Sequence, residues 1–256
     1  MDEKIYTLSE EDIKLKYITP KICAKGWSLD DISMEYKVQF TDGKINLKGN
    51  LVSRSTPKYA DYLLFYNSTT PIAIIEAKVA KFSVSHGMQQ AKTYAEMMRI
   101  PFAYSSNGQG FHEYDFLTGR ERHLTMDEFP TKEELYQRFL TESNKGNGLS
   151  EAELQLIDQP YCTGKDIYPP RYYQRNAVNL TLNAFAQGKK RMLLVMATGT
   201  GKTYTAFQIV YRLLKAKKVK KVLYLADRNI LVDQSIEQDF KPLEKVIHKI
   251  DYSKDK

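Results

Sequence analysis

Residues 193–207, LLVMATGTGKTYTAF, leave a chain few ways to fold. The apolar run 193–196 reads as a buried strand, a turn of Gly and Thr follows, and a helix opens at Lys202. Inside it, Ala197-Thr198-Gly199-Thr200-Gly201-Lys202-Thr203 fits the pattern (G/A)xxxxGKT of a phosphate-binding loop. Gly199 and Gly201 allow backbone N–H groups to turn inward around a phosphate, and the helix that follows adds its positive end. Lys202 would reach the β- and γ-phosphates, and the Thr203 hydroxyl would hold Mg²⁺. Thr198 and Thr200 complete the loop, and ATP is the expected ligand.

The chain has 256 residues, enough for one or two domains with real cores. A net charge of +7 leans toward nucleic acid as a partner. The first residues, MDEKIYTLSEED, are acidic and lack an apolar core, so no signal peptide is expected. No apolar run approaches the ~20 residues of a membrane span. Cys23 and Cys162 lie far apart and form no ligand pattern. Two reduced thiols in a cytoplasmic protein are the expectation.

Residues 9–25 read as a helix, with Ser9 as cap, Asp12 three residues on, a kink at Pro20 and a stop at Gly26. Strand-like residues 34–40, a turn at 41–44 and a basic, polar stretch through Pro57 follow. Strands are expected at 59–66 and 72–80, a helix at 85–99, then strands at 102–105 and 111–115. Residues 131–139 form a short helix. Residues 141–150, TESNKGNGLS, have little to bury and mark a domain boundary. A connector at 151–170 leads to a helix at 172–187, a strand at 219–225 and a helix at 230–240. The expected domains are 1–140, a linker at 141–168, and 169–256.

A second constellation lies on the two middle strands. Asp61 sits in one apolar strand, and Glu76 and Lys78 share a face of the next, because a strand repeats every two residues. A hairpin-like pairing would set Asp61 beside Glu76, and two such carboxylates suit Mg²⁺. The lysine would orient a water or steady developing charge. The flanking residues Ile74, Ile75 and Val79 indicate an interior strand, where a structural ion pair is the competing reading.

D-x₁₄-E-A-K between two helices resembles the PD-(D/E)xK nuclease superfamily, with Tyr59-Ala60 where a proline is usual. Gln90 and Tyr94 match the Q-x-x-x-Y element that, in this superfamily, marks RecB-like nucleases and type I restriction subunits. At positions i and i+4 they share a helical face. Glu10 fits the extra acidic residue of such nucleases, with Glu11 and Asp12 beside it. Pro170-Arg171-Tyr172-Tyr173-Gln174 resembles the Q motif of superfamily 2 helicases, which implies that Gln174 pairs with the adenine edge. Residues 225–234, LADRNILVDQ, resemble motif Ia, which implies backbone contacts to DNA from Arg228 and Gln234. The lysines at 215–221 are a DNA-facing patch or a solvated helix end.

Together these elements resemble the N-terminal part of the restriction (R) subunits of type I restriction enzymes. The resemblance implies an α/β fold: a restriction-endonuclease-like mixed sheet flanked by helices, then an incomplete RecA-like phosphate-loop domain. It implies a Mg²⁺-dependent endonuclease that cuts double-stranded DNA, with Asp61 and Glu76 as metal ligands and Lys78, Gln90, Tyr94 and Glu10 completing the catalytic set. It also implies partnership with methyltransferase (M) and specificity (S) subunits, through which S-adenosylmethionine enters. No Walker B carboxylates follow the phosphate loop, so this stretch alone is expected to hydrolyse little ATP. A helicase–nuclease working without a methyltransferase, and a non-catalytic module that binds DNA or nucleotide, are the alternatives.

Overall fold

A computed structural model describes residues 3–38, 45–48, 51–54, 58–143, 149–164 and 167–250. The chain divides into two compact units, Met1–Gly148 and Leu149–Lys256. The turn expected at 41–44 and residues 144–148 of the expected boundary lie outside the described residues.

The first unit opens on a helix that is not uniform. Ser9 caps it as expected, its hydroxyl accepting the Asp12 N–H at 3.1 Å. Then α1 (Glu10–Ile13) passes into a π-helical turn, Lys14–Ile18, and on into α2 (Thr19–Ala24). Pro20 lies inside this continuous helical run, where it has no N–H to give the preceding turn, and the winding widens just ahead of it. The expected kink is therefore a widened turn ahead of the proline. Gly26, at φ 85°, closes the segment.

The strands are β1 (Ile32–Val38), β2 (Ile45–Lys48), β3 (Leu51–Arg54), β4 (Lys58–Asn67) and β5 (Thr70–Ala77). Helix α3 (Met88–Met98) follows, then β6 (Phe102–Ser106), β7 (Gly110–Asp115), β8 (Arg120–Thr125) and α4 (Lys132–Ser143). Six of the strands form one sheet in the order β1-β4-β5-β6-β7-β8. Only β5 and β6 are parallel in it, and α3 supplies the crossover that a parallel pair requires. The stretch read as merely polar holds a separate hairpin, β2–β3. Strand β8, RERHLT, was not expected. It is an edge strand whose charged, largely exposed side chains give no apolar alternation to read.

Period 2 divides the sheet's side chains. Tyr62 and Leu64 of β4, Ala73, Ile75 and Ala77 of β5, and Phe102 and Tyr104 of β6 join one core with Ile13, Ile18 and Ile22 of the opening helix. Phe129, Leu135 and Tyr136 belong to the same core. α3 presents Met88, Ala91, Tyr94, Ala95 and Met98 as its buried side. Glu113 of β7 is buried too, at 1% exposure, and is fully occupied. Arg122 donates to it at 2.7 and 3.1 Å and Arg138 of α4 at 2.9 and 3.1 Å. Tyr104 Oη donates to it as well. Burial alone would raise the Glu113 carboxyl, but these donors hold it down at about 2.

The second unit is helical: α5 (Glu151–Asp158), α6 (Tyr172–Ala186), α7 (Lys202–Lys215) and α8 (Asn229–Glu237). α5 falls in the expected connector, and its signal is a capping box, Ser150 with Glu153. Leu156, Tyr161, Val178, Leu182 and Leu213 form one core. The strands expected at 193–196 and 219–225 are not formed. A strand exists through a neighbour's N–H and C=O groups, and no described residue is in register with either segment. Val195 and Leu225 stand 87% and 79% exposed. The mixed sheet flanked by helices is thus present in the first unit, while the RecA-like sheet is not seen among the described residues. Among those residues, no helix is long and apolar enough to cross a membrane.

Candidate functional site

Strands β4 and β5 pair Tyr62 with Ile75 and Leu63 with Ile74, which sets Asp61 beside Glu76 at the end of the ladder. Asp61 Oδ2 accepts the Ala77 N–H at 2.8 Å, so the carboxylate takes the place of a ladder partner. Glu76 is 1% exposed. Its Oε2 lies 3.7 Å from Lys78 Nζ, and its Oε1 has no hydrogen-bond partner among the described residues. Lys78 Nζ donates to the Ala77 carbonyl at 2.7 Å and lies 3.9 Å from Glu10 Oε2. Glu10, Asp61, Glu76 and Lys78 therefore meet at the C-terminal end of β5. Of the acidic residues beside Glu10, Glu11 turns to Lys14 and Asp12 to Ser9 and Lys16.

Burial, and then the Asp61 charge, push the Glu76 carboxyl up to about 9 against the pull of Lys78. Burial also raises Glu10. Among the described residues, no three His, Cys, Asp or Glu side chains converge as a ready-made cation cage. Two neighbouring carboxylates, one with a buried oxygen that nothing satisfies, nonetheless fit a divalent cation, which would meet that oxygen's need and offset the mutual repulsion.

One participant was missed. Lys14, 1% exposed, reaches into this group, its Nζ 2.7 Å from Asp61 Oδ1 and 2.6 Å from both Glu11 and Glu35. Burial works against the charged ammonium, but the three carboxylates outweigh it and raise its pKa. The available signal was spacing: Lys14 lies four residues after Glu10, on the same face of a helix.

α3 closes the site from the other side. Gly87 donates its N–H to Ser105 Oγ at 3.0 Å. A Cβ on Gly87 would come within 2.8 Å of that oxygen and 3.1 Å of Glu76 Cβ, so the glycine permits the approach. Gln90 Nε2 donates to Tyr94 Oη at 3.2 Å, as their spacing suggests. Both line an open cleft of about 730 Å³ with Tyr59 and His86.

The raised Glu76 carboxyl makes a prediction. The folded chain holds a proton there that the unfolded chain, at the ordinary value of 4.5, loses first. Stability of the metal-free chain therefore falls as pH rises from 4.5 toward about 9, by at most ~1.4 kcal/mol per pH unit. Urea unfolding in a chelator at pH 6 and pH 8 measures the slope, and Glu76→Gln should flatten it. An unchanged slope in that variant would contradict the assignment.

In the second unit, Gly199 and Gly201 hold φ of 79° and 81°, the left-handed turn expected of the loop. Lys202 Nζ faces the Met196 and Ala197 carbonyls, each at 3.4 Å, and the Thr200 hydroxyl donates to Ala197 O at 2.6 Å. Thr198 is exposed, and Thr203 is partly buried in the first turn of α7. Gln174, expected at an adenine edge, is engaged with the loop. Its Nε2 donates to Thr200 O and its Oε1 accepts the Arg171 N–H, both at 2.9 Å. A Cβ on Gly201 would lie 2.4 Å from that Nε2. Gln174, Tyr173, Tyr204 and the loop border a cleft of about 700 Å³. Arg228 and Gln234 are both exposed, and the neighbouring Asp227 carboxylate lies 3.9 Å from Arg228.

Known proteins resemble both parts of the chain. The family described as the N terminus of the type I restriction enzyme R protein matches residues 9–130, and the type III restriction enzyme res subunit family matches residues 167–256. The endonuclease subunit of the type I restriction enzyme EcoAI from Escherichia coli is 42% identical over 247 residues, covering 95% of this chain and 30% of that protein. The EcoKI endonuclease subunit from Escherichia coli K12 is 27% identical over 226 residues, covering 70% of this chain and 18% of that protein. The chain thus spans less than a third of either curated relative. A fragment structure assigned to an HsdR subunit of a type I restriction enzyme from Vibrio vulnificus YJ016 superposes with a TM-score of 0.71 at 43% identity, covering 82% of this chain and 39% of that one. Sequence and fold together place the chain in the family of type I restriction enzyme R (HsdR) proteins, over their N-terminal region.

Proposed function

We propose that the chain carries the DNA-cutting centre, and the nucleotide-binding start of the motor, of a type I restriction enzyme. One observation carries the reading: Asp61 and Glu76 lie side by side in the sheet with Lys78 beside them and a buried Glu76 oxygen unsatisfied. Asp61 Oδ1 and Glu76 Oε1 are the oxygens that would hold Mg²⁺. When bound, Mg²⁺ supplies Lewis-acid polarisation of the scissile phosphodiester. Lys78, fixed by the Ala77 carbonyl, orients the attacking water or steadies charge on the phosphate. Glu10 balances Lys78 from the opening helix. Gln90 and Tyr94 meet the DNA backbone in the cleft that they line.

In the second unit, the loop Thr198–Thr203 would take the phosphates of ATP. Lys202 would exchange its two long carbonyl contacts for phosphate oxygens, and Thr203 would approach the metal of the nucleotide. Gln174 would then tie the adenine pocket to the loop, and Arg228 and Gln234 would meet DNA. The division is a nuclease domain at 1–140, a connector at 141–168 and the beginning of a RecA-like lobe at 169–256. The break at 148/149 falls inside that connector and supports it. Double-stranded DNA is the substrate, and methyltransferase and specificity subunits are the partners, with S-adenosylmethionine bound by them.

The test is cleavage by the full-length subunit assembled with its partners. Plasmid cutting should require both Mg²⁺ and ATP and disappear in a chelator. Undiminished cutting without divalent cation would sink the proposal.

A further inference from the structure

Lys14 is more than a neighbour of the proposed metal site. Its ammonium lies 2.7 Å from Asp61 Oδ1, against the oxygen that a cation would use, while Asp61 Oδ2 is already committed to the Ala77 N–H. Its three acceptors are unequal. The Asp61 side chain is 11% exposed, whereas those of Glu11 and Glu35 are 72% and 55% exposed. One carboxylate belongs to the site and two stand at its rim.

Two independent backbone irregularities converge on this ammonium. Lys14 begins the π-helical turn, an arrangement that recurs at functional sites. Glu35 sits at φ 48° in the middle of β1, a strained conformation for a residue with a Cβ. The ladder pairs its neighbours, Met34 with Tyr62 and Tyr36 with Ala60, and passes over Glu35. Ordinary helix and strand geometry would serve a mere surface ion pair.

We propose that Lys14 is a resident counter-ion that competes with the divalent cation for Asp61: without metal it holds that carboxylate, and on metal binding it is displaced onto Glu11 and Glu35. The proposal rests on the reading of Asp61 and Glu76 as metal ligands. Displacement keeps the ammonium paired, because the rim carboxylates stay within its reach. It also makes the site reluctant to load on its own. A substrate phosphate that adds an oxygen ligand would tip the competition toward the cation, coupling loading to DNA.

Mg²⁺ titration of the chain, followed by thermal unfolding, tests the competition. Lys14→Met should lower the half-saturating Mg²⁺ concentration by roughly tenfold, the factor that ~1.4 kcal/mol produces. Lys14→Arg, which keeps the charge, should stay near the unsubstituted chain, and Asp61→Asn should lose the response. A purely structural lysine would lower the unfolding temperature equally with and without Mg²⁺. The unsubstituted chain offers a second measurement, independent of how the variants fold. Acylation of Lys14, read by mass spectrometry against the exposed Lys16, should rise as Mg²⁺ saturates. Equal midpoints and flat Lys14 labelling, with the response still lost in Asp61→Asn, would overturn the competition and leave the metal site standing. No Mg²⁺ response in any of these proteins would overturn both.

Discussion

Alanine at Asp61, Glu76 or Lys78 in the full-length subunit abolishes double-strand cleavage, a loss of at least ~10³-fold for a group acting directly on transition-state charge. ATP hydrolysis by the same assembly continues. The separation follows from position: all three side chains meet at the end of β5, whereas the phosphate loop belongs to the other compact unit. The three variants should differ in stability. Removing Glu76 relieves an unsatisfied buried oxygen, so that variant folds well. Removing Asp61 frees the Ala77 N–H and strips Lys14 of its buried partner, so that variant is the least stable. Cleavage and ATPase rates of each assembly, with an unfolding curve for each variant, separate lost chemistry from lost structure. Normal cutting by any of the three would remove that residue from the catalytic set.

Arg138→Met is the most damaging substitution expected away from the site. It leaves Glu113, 1% exposed, with Arg122 and Tyr104 alone and removes the guanidinium that covers the Phe102 ring at 4.5 Å. Breaking one side of a buried ion pair costs about 3–5 kcal/mol. That corresponds to a fall of roughly 10 °C or more in the unfolding temperature of a unit this size. Glu113→Leu combined with Arg138→Met should recover part of the loss, because the Glu113 charge is gone and only the buried Asp115, which Arg138 also pairs at 3.0 Å, is left without its ion-pair partner. If the double variant is no more stable than Arg138→Met, the cost lies in packing and not in charge.

The site was legible where a simple period governs it. Two-residue alternation put Glu76 and Lys78 on one face, and the hairpin between two apolar runs brought Asp61 alongside. The i, i+4 relation paired Gln90 with Tyr94. What escaped depends on partners distant in the chain. Lys14 reads as an ordinary solvated lysine until β1 and β4 supply Glu35 and Asp61. β8 carries exposed charge along its length and reveals itself only through its ladder with β7. The opposite error occurred at 193–196 and 219–225. Apolar runs imply strands, but a strand needs a neighbour, and no described residue provides one.

The π-helical turn at Lys14–Ile18 has a consequence for how the chain can change over time. Such a turn is an α-helix carrying one residue too many. Deleting a residue within the turn would restore regular winding and leave the flanks in phase, whereas deleting Asp12 or Ile13 ahead of it would rotate everything before them by about 100°. Glu10 and Glu11 would swing away from Lys78 and from the ammonium together, while the apolar contacts of Ile18 and Ile22 would persist. Substitutions in this segment are judged one side chain at a time, whereas a deletion is judged by the whole site at once. Ahead of the widened turn, length more than composition is what this opening helix cannot trade.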